Sequence, residues 1–438
     1  MTGTRRNLVE ALRERGLVHQ VTDEALGPLS AREPLTAYIG FDPTAPSLHA
    51  GSLYPLMLLA HAAKCGHKPI ALLGGGTGLI GDPSGKPSER PLVSEEEARA
   101  NIARMRRQVE SLLLRAGATP DIMDNAYWLK DVKFVEFLRD FGKHFTVNWM
   151  MAKDSVRSRF EDRTHGISYT EFSYMLLQAY DFYRLFEDRG CRLQMGASDQ
   201  WGNITAGIEL IRRKTGKEAY GLTCALLLTS SGEKFGKSAG NAVWLDAGLT
   251  SPHSFYQFWF NQPDDKVESL LKAFTFLTTE TIDETVKAAR TEDAGRRLLQ
   301  RKLAYETTKF VHGEDAASQG ERCADLRQGK LSLREIGVAE EIFGAFEGVP
   351  RTDFTKAPLL SIPLRMLFMH PNIGLIPSAS EWRRQLAQGA IYVNDERVVP
   401  RTGEEPRVKD SDILYGKVVV LRRGKKDYAL VRVVDEPS

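Results

Sequence analysis

Cysteine is scarce in this chain. Cys65, Cys191, Cys224 and Cys323 are scattered over 438 positions with no CxxC pair among them. That spacing excludes a zinc ribbon and a disulfide scaffold, and it predicts the reduced, mostly buried thiols of a cytoplasmic protein. An excess of charge is missing too: 59 Lys and Arg stand against 57 Asp and Glu, a formal net charge of +2. Nothing global announces a nucleic acid, so any RNA-binding surface has to be local. No apolar run reaches the roughly 18 residues of a membrane span, and no signal-peptide-like start is present, so neither a membrane nor export is expected. Repeats and low-complexity tracts are absent as well. What is there is an ordinary globular composition, 42% hydrophobic and 26% charged. The length predicts two or three domains.

Up to about residue 230, strand-like and helix-like runs alternate. Segments 35–41, 68–73 and 222–229 read as strands, and 49–65, 170–188 and 200–213 as helices. Ser94-Glu95-Glu96-Glu97 is a capping box opening a long helix to about Leu114. Such alternation implies a parallel α/β sheet whose ligands lie at the carboxyl ends of its strands. From Ser251-Pro252 onward the pattern is helical only, with Pro252 suited to a first helical position. A proline-bearing stretch beginning at Gly348-Val349-Pro350 reads as a linker. Beyond it comes a short helix near 381–388, then strand-and-turn sequence. The expected division is 1–235, 236–347, a linker at 348–357, and 358–438.

Two motif matches fail on their surroundings. Gly76-Thr77-Gly78-Leu79-Ile80-Gly81 spells GxGxxG, but Asp82-Pro83-Ser84-Gly85-Lys86-Pro87 follows. Two prolines and a glycine forbid the helix that a dinucleotide fingerprint requires. Gly232–Ser238 approaches a P-loop, yet its glycine spacing is one residue short and Ala239-Gly240-Asn241 is a poor helix start.

Other segments carry chemistry. In Pro46-Ser47-Leu48-His49-Ala50-Gly51-Ser52 a loop enters an apolar helix, offering an imidazole and a glycine where amides and the dipole favour phosphate. Lys234-Phe235-Gly236-Lys237-Ser238 places two ammonium groups and a hydroxyl on a Gly/Ser-rich loop. Tyr174, Gln178 and Asp181 share one helical face, a partly exposed one or one whose polar groups find partners. Asp199-Gln200-Trp201-Gly202-Asn203 adds polar groups able to meet a ribose or an amine.

The first two of these segments resemble the HIGH-like and KMSKS-like signatures of class I aminoacyl-tRNA synthetases. With Tyr38–Thr44, Gly81–Lys86, Tyr174–Asp181 and Gly196–Asn203 they are similar, in order and over essentially the whole chain, to the bacterial tyrosyl-tRNA synthetase family. The resemblance implies an α/β fold: a Rossmann-like parallel-sheet catalytic domain, an α-helical anticodon-binding domain and a small α+β S4-like RNA-binding domain. It implies ATP-dependent activation of L-tyrosine and transfer to tRNA(Tyr) by a homodimer. No permanently bound cofactor and no protein metal site are expected, ATP being a substrate with Mg2+ as its counter-ion.

Carried over by position, Tyr38 and Asp181 would bond the phenolic hydroxyl of the substrate. Asp82, Tyr174 and Gln178 would hold its ammonium group, and Gln200 would lie near its carboxylate. Thr44 and His49 would stabilise the transition state from the γ-phosphate side. Gly40, Asp42, Gly51, Ser52 and Asp199 complete the ATP site, and Lys86, Arg90, Lys234, Lys237 and Ser238 would surround the pyrophosphate. Ser52 stands where the family has a second histidine, and Ala197 where it often has glycine. A site built to bond a hydroxyl rejects the analogue lacking it by about 10⁴–10⁵, so no editing domain is expected. The tryptophanyl enzymes are the nearest alternative, against which the Tyr38/Asp181 pair and the tail both argue. An NAD-linked oxidoreductase rests on Gly76–Gly81 alone.

Near the end, 380–394 looks like an S4-type module offering Arg383 and Arg384. Arg422-Arg423-Gly424-Lys425-Lys426 is a second basic cluster, a solvated turn or a grip on phosphates that positions RNA without reading sequence.

Overall fold

The computed structural model describes residues 5–84, 94–153, 156–157, 166–227, 235–238, 241–291, 297–399, 404–424 and 426–435. The chain divides into two compact units, Met1–Thr250 with Asn261–Val311, and Ser251–Phe260 with His312–Ser438.

The first unit is built on a six-stranded sheet. Its strands are β1 (Gln20–Val21), β2 (Thr36–Phe41), β3 (Lys68–Leu73), β4 (Asp121–Asp124), β5 (Cys191–Ala197) and β6 (Tyr220–Cys224), in the order β1-β6-β5-β2-β3-β4. All neighbours are parallel except β1, which runs antiparallel to β6. Helices cover the sheet, so β6 is buried throughout and β3 is buried after Lys68. From β2 the chain builds outward through β3 and β4, then returns to add β5 and β6 on the other side. The order therefore reverses between β2 and β5, and the carboxyl ends of those two strands open the crevice where α/β sheets bind ligands. The strand expected at 222–229 starts earlier and stops at Cys224, because its partner β5 ends there, Ala197 opposite Cys224.

Local signals account for the helices that frame this crevice. Ser94 caps Glu95–Arg115 by accepting the Glu97 amide at 3.2 Å. Ser168 and Glu171 form a capping box on Tyr169–Arg189, and Gly190 ends that helix at φ 61°. Gly207, in the helix Trp201–Thr215, faces Phe182 so closely that a Cβ would lie 2.8 Å from its ring. That glycine lets the two long helices close on each other over the sheet. A short hairpin, β7 (Lys237–Ser238) with β8 (Asn241–Ala242), also belongs to this unit.

The second unit carries helices Pro252–Phe260, Glu314–Arg327 and Ala339–Ala345 together with a five-stranded sheet. The strands β9 (Arg351–Thr355), β10 (Ile391–Val393), β11 (Glu396–Arg397), β12 (Val418–Arg423) and β13 (Asp427–Val434) lie in the order β11-β10-β12-β13-β9. Segment 348–357, read from sequence as a linker, thus contains a strand: β9 pairs parallel with β13 and covers its edge. The run Val418-Val419-Val420-Leu421 is apolar throughout because both sheet faces are buried. Val419, Leu421 and Val431 pack with Leu367, Phe368 and Trp382, whereas Val418, Val420 and Leu430 pack with Leu326, Ile342 and Phe346.

Candidate active site

A cavity of about 210 Å³ opens at the carboxyl ends of β2 and β5, and its wall contains Tyr38, Asp82, Tyr174, Gln178, Asp181 and Gln200. All six residues expected to bind tyrosine therefore meet in one place. Gly40 and Asp42 line it as well.

One end of the cavity is a buried polar network around Asp181. Trp128 Nε1 donates to its Oδ1 at 2.7 Å and Asn125 Nδ2 to its Oδ2 at 2.8 Å. Asn125 is held in turn, since its Oδ1 accepts the Gly76 amide at 2.8 Å and its Nδ2 donates to Thr77 Oγ1 at 2.9 Å. Burial pushes the Asp181 carboxyl up to about 7; the Trp128 and Asn125 bonds oppose the shift, and Asp42 and Asp124 add to it. Tyr38 is 1% exposed, and its hydroxyl has no partner among the described residues. Its phenol is held well above its ordinary value, first by burial and then by the Asp181 charge. A buried hydroxyl without a partner beside a buried carboxyl is costly unless a ligand completes it.

The other end is acidic and amide-rich. Gln200 Nε2 donates to Asp82 Oδ2 at 2.7 Å, and Asp82 Oδ1 takes the Ser84 amide at 2.9 Å. Asn203 Nδ2 donates to Gln178 Oε1 at 3.0 Å and to Gln200 Oε1 at 3.2 Å, so one buried amide orients both glutamines. Tyr174 donates to Asp42 Oδ2 at 3.4 Å, and Thr77 donates to Asp42 Oδ1 at 3.2 Å. Carboxylates and amide oxygens gathered in this way suit an ammonium group. Cys224 also lines the cavity, but burial lifts its thiol to about 12, so it stays neutral.

The glycine-rich loop after β3 serves this architecture. A Cβ on Gly74 would lie 2.3 Å from Asp42 Oδ1, on Gly75 2.2 Å from Asp124 Oδ1, and on Gly78 2.7 Å from Pro43. The loop is glycine-rich because it is squeezed between the ends of β2 and β4, and it holds the single short turn Thr77–Leu79.

Outside the cavity wall, the two signature segments meet. His49 caps the helix Ala50–Lys64, its Nδ1 accepting the amides of Gly51 at 3.0 Å and Ser52 at 3.3 Å. An accepting Nδ1 puts the ring proton of a neutral imidazole on Nε2, a donor suited to a phosphate oxygen. Ser52 Oγ accepts the His49 amide at 3.5 Å, so the serine that replaces a histidine closes the capping box. Backbone bonds run from Ala50 N to Val243 O and from Leu245 N to Leu48 O, each 2.8 Å. Gly51 and Gly236 are in backbone contact: a Cβ on Gly51 would lie 2.3 Å from Phe235 O, and one on Gly236, at φ +78°, would lie 2.3 Å from Gly51 N. Thr44 is exposed just after β2, and Asp199 is half-buried in the turn Ser198–Gln200. Lys86, Arg90 and Lys234 lie outside the described residues, as do the side chains of Lys237 and Ser238. Among the described residues no cluster of His, Cys, Asp and Glu could hold a metal ion, and no helix is long and apolar enough to cross a membrane.

The basic residues of the C-terminal unit are unequal. Arg384 is paired with Glu381 at 2.8 Å and Arg423 with Asp427 at 2.5 Å. Arg422 lies flat on the Tyr392 ring, 3.8 Å from its centroid. Arg383 and Lys426 are exposed, and Lys425 lies outside the described residues.

Sequence reasoning missed Asn125, Trp128 and Gln194. A buried asparagine directly after a parallel strand was the available signal, because that is where such sheets place ligand contacts. Asn203 was seen only as one of a polar run; its role comes from the helix that turns it inward.

Comparison with known proteins follows the same lines. A family profile of class I tRNA synthetases (W and Y) matches residues 30–325, and one of the tyrosine–tRNA ligase SYY-like C-terminal domain matches 341–431. The chain is 46% identical over 429 residues to the tyrosine–tRNA ligase of Roseiflexus castenholzii, covering 98% of this chain and 99% of that protein. It is 46% identical over 430 residues to that of Anaeromyxobacter dehalogenans, with coverage of 98% and 99%. The crystal structure of a C-terminally truncated mitochondrial tyrosyl-tRNA synthetase from Aspergillus nidulans superposes with a TM-score of 0.66 at 34% identity, covering 73% of this chain and 94% of that one.

Proposed function

Because the chain belongs to the tyrosine–tRNA ligases, a family of class I aminoacyl-tRNA synthetases, we propose how its residues divide the work. It activates L-tyrosine with ATP and then charges tRNA(Tyr). A carboxylate oxygen of tyrosine attacks the α-phosphorus, the bond to the bridging oxygen breaks, and pyrophosphate leaves. A hydroxyl at the 3′ end of the tRNA then attacks the acyl carbon and releases AMP.

In our reading Tyr38 and Asp181 hold the phenol, while Asp82, Tyr174 and Gln178 hold the ammonium group. Gln200 steadies the carboxylate. ATP takes the neighbouring ground of Gly40, Asp42, Thr44, His49, Gly51, Ser52 and Asp199, and Lys86, Arg90, Lys234, Lys237 and Ser238 neutralise the leaving pyrophosphate. Mg2+ arrives on the ATP phosphates. The chemistry needs little acid–base work and much positioning and charge neutralisation. One observation carries this reading: six residues chosen from sequence line a single cavity in which a buried tyrosine hydroxyl has no partner among the described residues.

Arg383, Arg384, Arg422, Arg423, Lys425 and Lys426 are assigned to the tRNA backbone, and 236–347 with 358–438 to its anticodon and variable arm. We place the enzyme in the cytoplasm as a homodimer. Large exposed apolar side chains gather within one stretch, Tyr127, Phe134, Val135, Val147 and Tyr169, as a self-complementary face would require. Light scattering on Val135→Asp should report a monomer.

Amino-acid-dependent ATP–pyrophosphate exchange, run without tRNA, tests the activation step. Exchange with tyrosine but not with tryptophan or phenylalanine is the expected result; exchange with tryptophan would overturn the phenol assignment.

A further inference from the structure

One polar group in the tyrosine cavity is left idle by the roles above. Gln194 on β5 is paired in register with Tyr38 on β2 across parallel strands. The two side chains therefore leave the same face of the sheet about 5 Å apart, and both line the cavity. Gln194 is 2% exposed and its Oε1 has no partner among the described residues; the Tyr38 hydroxyl beside it has none there either. A methionine would fill the same volume without burying an unpaired carbonyl oxygen, so packing alone does not account for a glutamine here.

Counting donors and acceptors gives it a task. The incoming phenol brings one O–H and one oxygen, and Tyr38 brings the same. Each Asp181 oxygen already holds a donor, from Trp128 or Asn125. If the substrate O–H lands on Tyr38 Oη, the Tyr38 proton needs an acceptor, and the cavity wall has Gln194 Oε1 to offer. We propose that Gln194 is a positioning residue for tyrosine recognition, taking the Tyr38 O–H so that the Tyr38 lone pairs face the substrate hydroxyl. The proposal rests on the tyrosine assignment of this cavity. Burial, which keeps the Asp181 carboxyl protonated up to about pH 7, supports it. A chain from Asp181 through the substrate and Tyr38 to Gln194 then leaves no donor or acceptor unpaired, and aligned bonds of this kind reinforce one another.

A double-mutant cycle on Tyr38→Phe and Gln194→Met tests this, reading tyrosine binding by calorimetry, exchange kinetics and the thermal midpoint. Gln194→Met should raise the tyrosine Kd about 3–10-fold and narrow the preference over phenylalanine by a similar factor. The ATP KM should stay within about twofold, and the midpoint should not fall. In the Tyr38→Phe background the same substitution should add little, because the group it serves is gone. An unchanged tyrosine Kd, or an equal loss in both backgrounds, overturns the proposal and leaves the cavity assignment standing. Unfolding of both Gln194→Met and Gln194→Leu would make Gln194 a core residue and overturn it too. If the unsubstituted protein binds no tyrosine, the cavity assignment falls and takes this role with it.

Discussion

At the scale of single residues, Asp181 serves two opposed demands. In our reading it recognises a hydroxyl, and it is buried where a carboxylate is poorly solvated. An unfolded aspartate releases its proton near pH 4, whereas the folded one holds it to about 7. Between those values the unfolded state binds fewer protons, so this group makes the ligand-free protein less stable as pH rises from about 4 to about 7, with no further change above. Asp181→Asn lacks that linkage. Its melting temperature should gain on the parent across this window and then run parallel, which calorimetry at several pH values will check; a constant difference would refute the assignment. Asp181→Ala should cut tyrosine-dependent exchange by roughly 10² or more while the protein still folds cooperatively.

At the scale of elements, the contact between the helix start at Gly51 and the segment Phe235–Gly236 sets backbone directly against backbone. Gly51→Ala would drive a Cβ to within 2.3 Å of Phe235 O. It should weaken use of ATP in exchange by up to about 10²-fold, the cost when a positioning element shifts by about an ångström, and leave tyrosine binding unchanged. An altered tyrosine Kd would show that the two subsites are not separable. The same elements show what was legible beforehand. The helix starting beside His49, the strand at 68–73 and the cap at Ser94 followed from apolar period and capping residues, which act locally. The six cavity residues were legible through a resemblance in short motifs. Asn125, Trp128 and Gln194 were not, because their roles come from strand register and from a loop folded over β4. The strand at 351–355 was hidden for the same reason: its partner, β13, lies about 80 residues further along the chain.

At the scale of the whole molecule, the second unit behaves as one body. Helices Glu314–Arg327 and Ala339–Ala345 bury Leu326, Ile342 and Phe346 against Val418, Val420 and Leu430 of the C-terminal sheet. Removing 351–438 should therefore expose a contiguous apolar face, and increased dye binding and aggregation should follow; a clean, monodisperse shortened chain would contradict this. Lys426→Ala should weaken tRNA binding across sequences and lower the salt slope by about one, measured by filter binding at several salt concentrations. The buried sheet has a further consequence for how RNA can be approached. Many sheets that bind RNA lay bases across an open face carrying aromatic rings. Here the central residues of β12 and β13 are packed on both faces, so in our reading the sheet meets RNA at its rim, through the turn between β12 and β13 and the ends of its helices. A rim touches a few phosphates and cannot unroll a strand. On the proposed tRNA assignment such a rim would leave a narrow footprint blind to base identity, and any discrimination made by this sheet would come from the shape that brings those phosphates within reach.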